Sequence, residues 1–584
     1  MYSLGTLEYL LTLGMLIAFV GFIISLILGR DQITKELSQF KIKRKHILAV
    51  ILIAAIFLFI ESYVVQPTQL LYFDDDIYQA MALSILHTGQ AWMCNYGTPS
   101  SCTIGQLFLE PIGESFNIAV GFALFGISRN VTYAVQLALS TIAVIAIFFS
   151  SLLLLKNIRA ALFSELLLAL SPALLVWAHP TTSDLPMLTY SLIALFFLVL
   201  FVRRKNLKTF SMLAFSTALV SYMKVNAILF IAVMFMGYFI LDYKNLSKST
   251  KENMKVLRAG YSSTIALLIL LLFVISVTPE MIYSSSQYSG GSYLYPGSLV
   301  PNSCNPSSTG LTANSSINLK NFEYNLCANV YFWFDNYQDQ YVMQPIFFTM
   351  LAILGAALML FKKRRELAFL AIWLIAFFVI YTAFYAGSVV FGINWRFMLS
   401  LIAPASILGG YACAYIVDFT ESIYKKLTSH SNYLKNSRYI GLIAALVLLF
   451  FISYSIYLLI PQIGVNPSNL PQAGDARYYE DFVLNQSSAI PSNCIVYSYD
   501  PTLFFLVNRS ALQMSYLSNQ SVFSDVSKQY SCQVIDYGYW CYTPNNFCPS
   551  LNSKFDLKPI VTTTYSPLGK IFGFYYISNA SAGK

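Results

Sequence analysis

The sequence predicts an α-helical polytopic membrane protein of about twelve spanning helices, followed by a soluble α/β domain on the non-cytoplasmic side. Three observations predict it. The 584 residues are 57% apolar and only 11% charged, with a mean hydropathy of +0.60, where soluble domains carry about a quarter of their residues as Asp, Glu, Lys and Arg. Apolar stretches of about 20 residues, enough to cross a hydrocarbon core of roughly 30 Å, recur along the chain. The basic residues are concentrated, with 25 of the 36 in six short connections between those stretches.

The expected spans are 5–29, 46–65, 131–155, 160–177, 184–202, 208–222, 225–241, 260–277, 342–361, 367–385, 398–417 and 439–460. The first lacks a basic n-region and its apolar run is long for a signal peptide, so it reads as a retained helix. The basic connections 30–45, 156–159, 203–208, 244–258, 362–365 and 425–438 are cytoplasmic by the positive-inside rule. Alternation then places residues 66–130, 278–341 and the tail outside. The domains are therefore an extra N-terminal helix with its basic loop (1–45), a transmembrane domain (46–460) and a soluble domain (461–584).

Eight of the nine cysteines fall in the three outside segments, and only Cys413 lies in a span. Each segment holds an even number, which suits disulfides formed outside the cytosol. Cys94–Cys102 and Cys304–Cys327 are the natural pairs, while Cys494, Cys532, Cys541 and Cys548 allow three connectivities. Glycosylation sequons at Asn314, Asn485, Asn508, Asn519 and Asn579 share the same compartment.

Beyond residue 460 the apolar runs give way to a mixed segment of domain size, expected to fold on its own. A helix over 476–484, extended runs at 494–499, 504–508 and 533–539, and a closing strand at 571–577 predict a small α/β unit.

The chemistry is expected in the first outside loop. It opens Leu71-Tyr72-Phe73-Asp74-Asp75-Asp76-Ile77-Tyr78, and the pattern to Gly89 predicts a short helix capped by Asp76 and ended by Gly89, with Ile77, Met81 and Ile85 on one face. Helix-terminal acids are favourable by about 0.3–1 kcal/mol, which explains one or two carboxylates but not three in succession. Glu110, before Pro111, and Asp184, before Pro186, are further outside acids at membrane boundaries. For Asp184 an N-cap role competes with a functional one. A carboxylate cluster alone would repel a phosphorylated substrate, so Arg396 and Lys224, outside-facing cations at helix ends, complete the candidate site; each could instead snorkel to lipid headgroups. Of four histidines, only His87 and His179 fall outside. Asp74, Asp75 and Asp184 could hold a divalent cation through oxygen ligands. No His/Cys metal cluster, Walker loop, GxGxxG or GxSxG occurs, which removes support for nucleotide-driven pumping and serine hydrolysis. Nothing predicts a nucleic-acid partner.

Asp74-Asp75-x-x-Tyr78-x-x-x-Ala82-x-x-x-Leu86-x-x-Gly89 resembles the acidic motif of the first extracytoplasmic loop in GT-C glycosyltransferases of the protein O-mannosyltransferase and aminoarabinose-transferase group. Glu110-Pro111 with Leu124-Phe125-Gly126-Ile127-Ser128 is similar to their Glu-Lys-Pro and LFG-S stretch, without the lysine. Ala178-His179-x-x-x-x-Asp184-x-Pro186 resembles their Ala-Arg-x-x-x-x-Asp-x-Pro, with His179 where arginine is usual. Lys224 matches a lysine between two short helices, and Arg396-Phe397 with Pro404 resembles an Arg-Tyr…Pro signature. The resemblance spans residues 46–417. It implies a GT-C-like membrane domain, a polyprenyl-phosphate sugar donor held among membrane lipids, and a lipid, glycan or protein acceptor. It also implies Asp74 as general base, Asp75, Glu110 and Asp184 as acceptor-orienting acids, Arg396, Lys224 and His179 at the donor phosphate, and inversion at the anomeric carbon.

Two alternatives differ in class. An oligosaccharyltransferase catalytic subunit would suit the long outside loop, the large tail and Asp536-Tyr537-Gly538, which matches part of a Trp-Trp-Asp-Tyr-Gly motif with Val534 and Ile535 in place of the tryptophans. A transporter or flippase would need charged or broken helices at the bilayer midplane, for which Glu165 alone is a candidate.

Overall fold

In the computed structural model, the described residues are 4–65, 74–98, 101–106, 110–224, 227–242, 260–288, 346–384, 396, 399–428, 437–457, 471–538, 541, 551–552, 554–565 and 569–578. Five helices are long and apolar enough to cross a membrane among them, and six shorter helices are also apolar. The expected spans all fall on helices: α1 (Leu4–Leu37), α2 (Arg44–Tyr63), α5 (Arg129–Leu155), α6 (Ile158–Ala169), α8 (Asp184–Arg204), α9 (Leu207–Ser221), α10 (Ile228–Asp242), α11 (Gly260–Tyr288), α12 (Ile346–Lys362), α13 (Arg364–Phe384), α14 (Leu399–Thr428) and α15 (Ser437–Tyr457). One expected span is divided. Ser171-Pro172 ends α6 and opens a separate short helix, α7 (Pro172–Trp177), because Pro172 has no N–H to continue the ladder and suits a first helical turn.

The polar residues collect at the two ends of this bundle. At one end, Glu36 is pinned by Arg203 and Arg204, Lys205 pairs with Asp242 at 2.6 Å, and Arg159 bridges Asp418 and Glu421 at 2.5 and 2.8 Å. This is the basic end. Between the ends the outer surface is apolar: Leu48, Leu52 and Phe59 of α2 and Leu267 and Leu271 of α11 are all more than half exposed, as expected of side chains with lipid rather than water for solvent.

The opposite end carries α3 (Asp74–Thr88), the hairpin β1 (Met93–Thr98) and β2 (Ser101–Gln106), α4 (Ile112–Phe125) and the tail. Helix α3 starts at Asp74, two residues before the expected cap, so Asp76 lies inside its first turn. Gly89 ends it at φ +71°, donating to Ile85 O at 3.1 Å, a left-handed stop that glycine adopts freely.

The tail contains the expected α16 (Pro471–Gln486), β3 (Cys494–Ser498), β5 (Cys532–Tyr537) and β7 (Lys570–Ser578), joined by β4 (Ser510–Gln513), α18 (Gln520–Gln529) and β6 (Asp556–Tyr565). The run 504–508 is not extended. Pro501 opens helix α17 (Pro501–Leu506), and the chain turns at Asn508, φ +61°. The sheet is also not made by the tail alone. Its order is β2-β1-β4-β3-β5-β7-β6, with β1 antiparallel to β4, so the first loop supplies two of seven strands. Strand β3 runs parallel to both β4 and β5 and is buried throughout, which explains its unbroken Cys-Ile-Val-Tyr run.

Cys94–Cys102 closes the hairpin, and Cys494–Cys532 joins paired residues of β3 and β5. Cys541 is also disulfide-bonded. Cys304, Cys327 and Cys548 lie outside the described residues. Cys413 is a buried free thiol in α14, as expected.

Candidate active site

Four elements place charge at the tail-bearing end of the bundle. Ser183 precedes α8 without capping it, and Asp184, the first helical residue, is fully buried. The N-cap reading of Asp184 fails. Its carboxylate instead takes the Lys224 ammonium on one oxygen and faces Arg396 Nε at 3.5 Å on the other. Lys224 is buried in the turn after α9, and Arg396 lies just before α14 with 14% of its side chain exposed. Both cations thus turn inward instead of snorkelling.

Burial pushes the Lys224 ammonium down to about 8, with Arg396 adding to the effect and Asp184 and Glu110 opposing it. Glu110 therefore acts at the same place. Its Oε2 accepts from the Tyr78 hydroxyl at 2.7 Å, tying it to α3. The turn holding Lys224 is positioned by α4: Gly113 N donates to Tyr222 O at 2.9 Å, and a Cβ on Gly113 would lie 2.5 Å from that oxygen. Only glycine allows this approach.

His179 does not join these cations. Its Nε2 faces Glu61, 3.0 Å from the backbone oxygen and 3.2 Å from the carboxylate. Burial disfavours a charged imidazole, but Glu61 outweighs it and raises the His179 pKa. Glu61, at the end of α2, is fully buried, and turning His179 away would remove its counter-charge.

Asp74 begins α3, but its side chain lies outside the described residues. Asp75 is fully buried and acts on Glu114 of α4. Glu114 accepts from Gln136 Nε2 and, at 3.4 Å, from Asn117 Nδ2, while Asn117 Oδ1 accepts from Tyr190 OH at 3.0 Å. Burial, reinforced by Asp75, holds the Glu114 carboxyl well above the usual range. Asp75 thus sits with Glu114 and Asp76, whereas Asp184 sits with two cations. Among the described residues, no three His, Cys, Asp or Glu side chains are arranged to hold a metal.

Asp76 reaches into the tail. Burial, then the charge and hydrogen bond of Asp500, hold its carboxyl well above the usual range, and burial pushes Asp500 up to about 6. Beside them Arg129, at the start of α5, pairs with Glu480 of α16 at 2.6 Å and donates to Tyr133 OH at 2.8 Å. Asp536 is buried, accepting from Tyr479 and, at 2.7 Å, from Ser498.

Sequence reasoning missed Glu61, Glu114, Arg129, Glu480 and Asp500. Glu61 and Glu114 did carry a signal, since each is a lone acid in an apolar run.

The matching family model is that of dolichyl-phosphate-mannose-protein mannosyltransferases, over residues 110–278. That stretch holds Glu110, Asp184 and Lys224. Among solved structures, ArnT of Cupriavidus metallidurans, bound to undecaprenyl phosphate, superposes with a TM-score of 0.50 at 14% identity, covering 92% of this chain and 99% of that one. The chain has the GT-C glycosyltransferase fold. An oligosaccharyltransferase of Archaeoglobus fulgidus, solved with an inhibitory peptide and a dolichol-phosphate, gives 0.48 at 14% identity, over 92% of this chain and 75% of that one. No curated protein matches the chain in sequence. Within the GT-C fold, Asp184 opens α8, Lys224 follows α9 and Arg396 precedes α14, and the three come together at the tail-bearing end.

Proposed function

We propose that the chain transfers a sugar from a polyprenyl-phosphate donor to an acceptor hydroxyl at the tail-bearing end, which is extracytoplasmic by the distribution of basic residues. The observation that carries this is the buried pair of cations, Lys224 and Arg396, converging on Asp184 at a helix end. Two buried positive charges on one carboxylate form a preorganised anion site.

In this reading Asp74 takes the proton of the acceptor hydroxyl as its oxygen attacks the anomeric carbon. The new C–O bond forms on one face while the bond to phosphate oxygen breaks on the other, its electron pair leaving with the lipid phosphate. The anomeric configuration inverts. Lys224 and Arg396 stabilise the charge gathering on the leaving phosphate, and Asp184 keeps both in place when the site is empty. Glu110, braced by Tyr78, and Asp75, backed by Glu114, orient the acceptor. Likeness to ArnT supports a polyprenyl-phosphate donor. A donor borne in the membrane also suits an active site away from cytosolic nucleotide sugars.

Purified full-length protein incubated with a panel of polyprenyl-phosphate sugars should release polyprenyl phosphate from at least one, and Arg396→Ala should weaken that donor's binding. Folded protein that turns over none of the panel, with or without acceptor mixtures, would overturn the reading.

A further inference from the structure

The basic end carries a second group of cations, remote from Lys224. A cavity of about 770 Å³ opens there, lined by Phe40, Lys45, His46, Lys156, Arg159 and Asp418 among others. Arg159 is committed to Asp418 and Glu421. Among the described residues Lys45 and Lys156 have no carboxylate partner. The cavity therefore has two exposed ammonium groups free to meet an anion.

Two further features bear on what that anion is. Lys156 stands at φ +56°, a helix-ending position where glycine is usual, and Lys41 and Lys205 at this same end do likewise at +49° and +33°. Lysine is held there against backbone preference. The cavity also has an apolar continuation. Lys45 lies on the α2 face that continues through Leu48, Leu52, Ile56 and Phe59, exposed by 66, 57, 41 and 59%, at helical spacings of three and four. Charge at the mouth and an exposed apolar track below it match an amphiphile better than a soluble ion.

We propose that this cavity binds the phosphate headgroup of an anionic phospholipid in the leaflet at the basic end, with its acyl chains along the α2 track. The site stands whether or not the transfer reaction is as proposed. Native mass spectrometry of the full-length protein in detergent, titrated with phosphatidylglycerol, phosphatidylcholine or inorganic phosphate, tests it. Phosphatidylglycerol should be retained and phosphatidylcholine not, and excess inorganic phosphate should fail to displace the lipid. At roughly fivefold in affinity per lysine near an anionic surface, K45Q/K156Q should weaken retention about 25-fold. Lys208→Gln, at the same end but outside the cavity, should leave it unchanged and shows whether the effect is local. Equal retention of the two lipids, undiminished binding by folded K45Q/K156Q, equal weakening by Lys208→Gln, or displacement by phosphate would each overturn the proposal.

Discussion

Raising the pH should switch off Lys224 before it harms the fold. The Lys224 ammonium is pushed from its ordinary 10.5 down to about 8, so above that value the free protein loses one of the two charges that the proposed mechanism sets against the donor phosphate. A sugar phosphodiester does not titrate in this range. The profile of kcat/KM reports free-enzyme groups, so it should fall about tenfold per unit above pH 8, roughly 100-fold by pH 10. Stability moves oppositely. Between about 8 and 10.5 the unfolded chain binds more protons at this lysine than the folded one, so this residue's contribution to stability rises with pH across that window. Loss of activity with no drop in melting temperature is thus the signature. Lys224→Arg keeps its charge at every accessible pH and should abolish the alkaline limb. Lys224→Met should lose on the order of 10²- to 10³-fold in kcat at neutral pH, the usual consequence of removing one preorganised donor. A wild-type profile flat to pH 10, or an unchanged limb in Lys224→Arg, would refute the role.

Arg129→Ala should destabilise the protein by about 3–5 kcal/mol, because it leaves Glu480 buried without its counter-charge; proteolysis of the tail should accelerate in step with the fall in melting temperature. Asp76 and Asp500 have raised carboxyl pKa values, so their contribution to stability is present at low pH and is lost as pH rises from about 4 through 6 and above. Asp76→Asn should flatten that decline in thermal unfolding, rather than act as a lost helix cap. Reducing Cys494–Cys532, which spans 38 residues, should cost about 4 kcal/mol on the chain-entropy account, measured as the difference between the Cys494→Ser/Cys532→Ser variant and wild type in denaturant.

The spans were legible because a bilayer imposes one rule, about 20 apolar residues, that survives without knowledge of packing. That Asp184, Lys224 and Arg396 come together is legible for a related reason: charge is so sparse at the helix ends that each exception asks for a partner. What the sequence concealed is pairing between distant segments. Asp76 meets Asp500, Arg129 meets Glu480, and β1 extends a sheet otherwise built by the tail, none of which leaves a local periodicity. The placement of His179 at the phosphate came from analogy with an arginine, and a shorter, neutralisable imidazole settles on Glu61 instead. The run 504–508 misled because its aromatic composition suits a strand, while Pro501 upstream fixes the geometry of a helix start.

The central claim, that a first-loop carboxylate drives sugar transfer from a lipid phosphate, is tested most directly by Asp74→Asn. With the donor that wild-type protein turns over, sugar transfer by the purified variant should fall by roughly 10²- to 10⁴-fold, the usual loss when a general base is removed. Donor binding and melting temperature should stay near wild type. Transfer at a rate comparable to wild type would contradict the account.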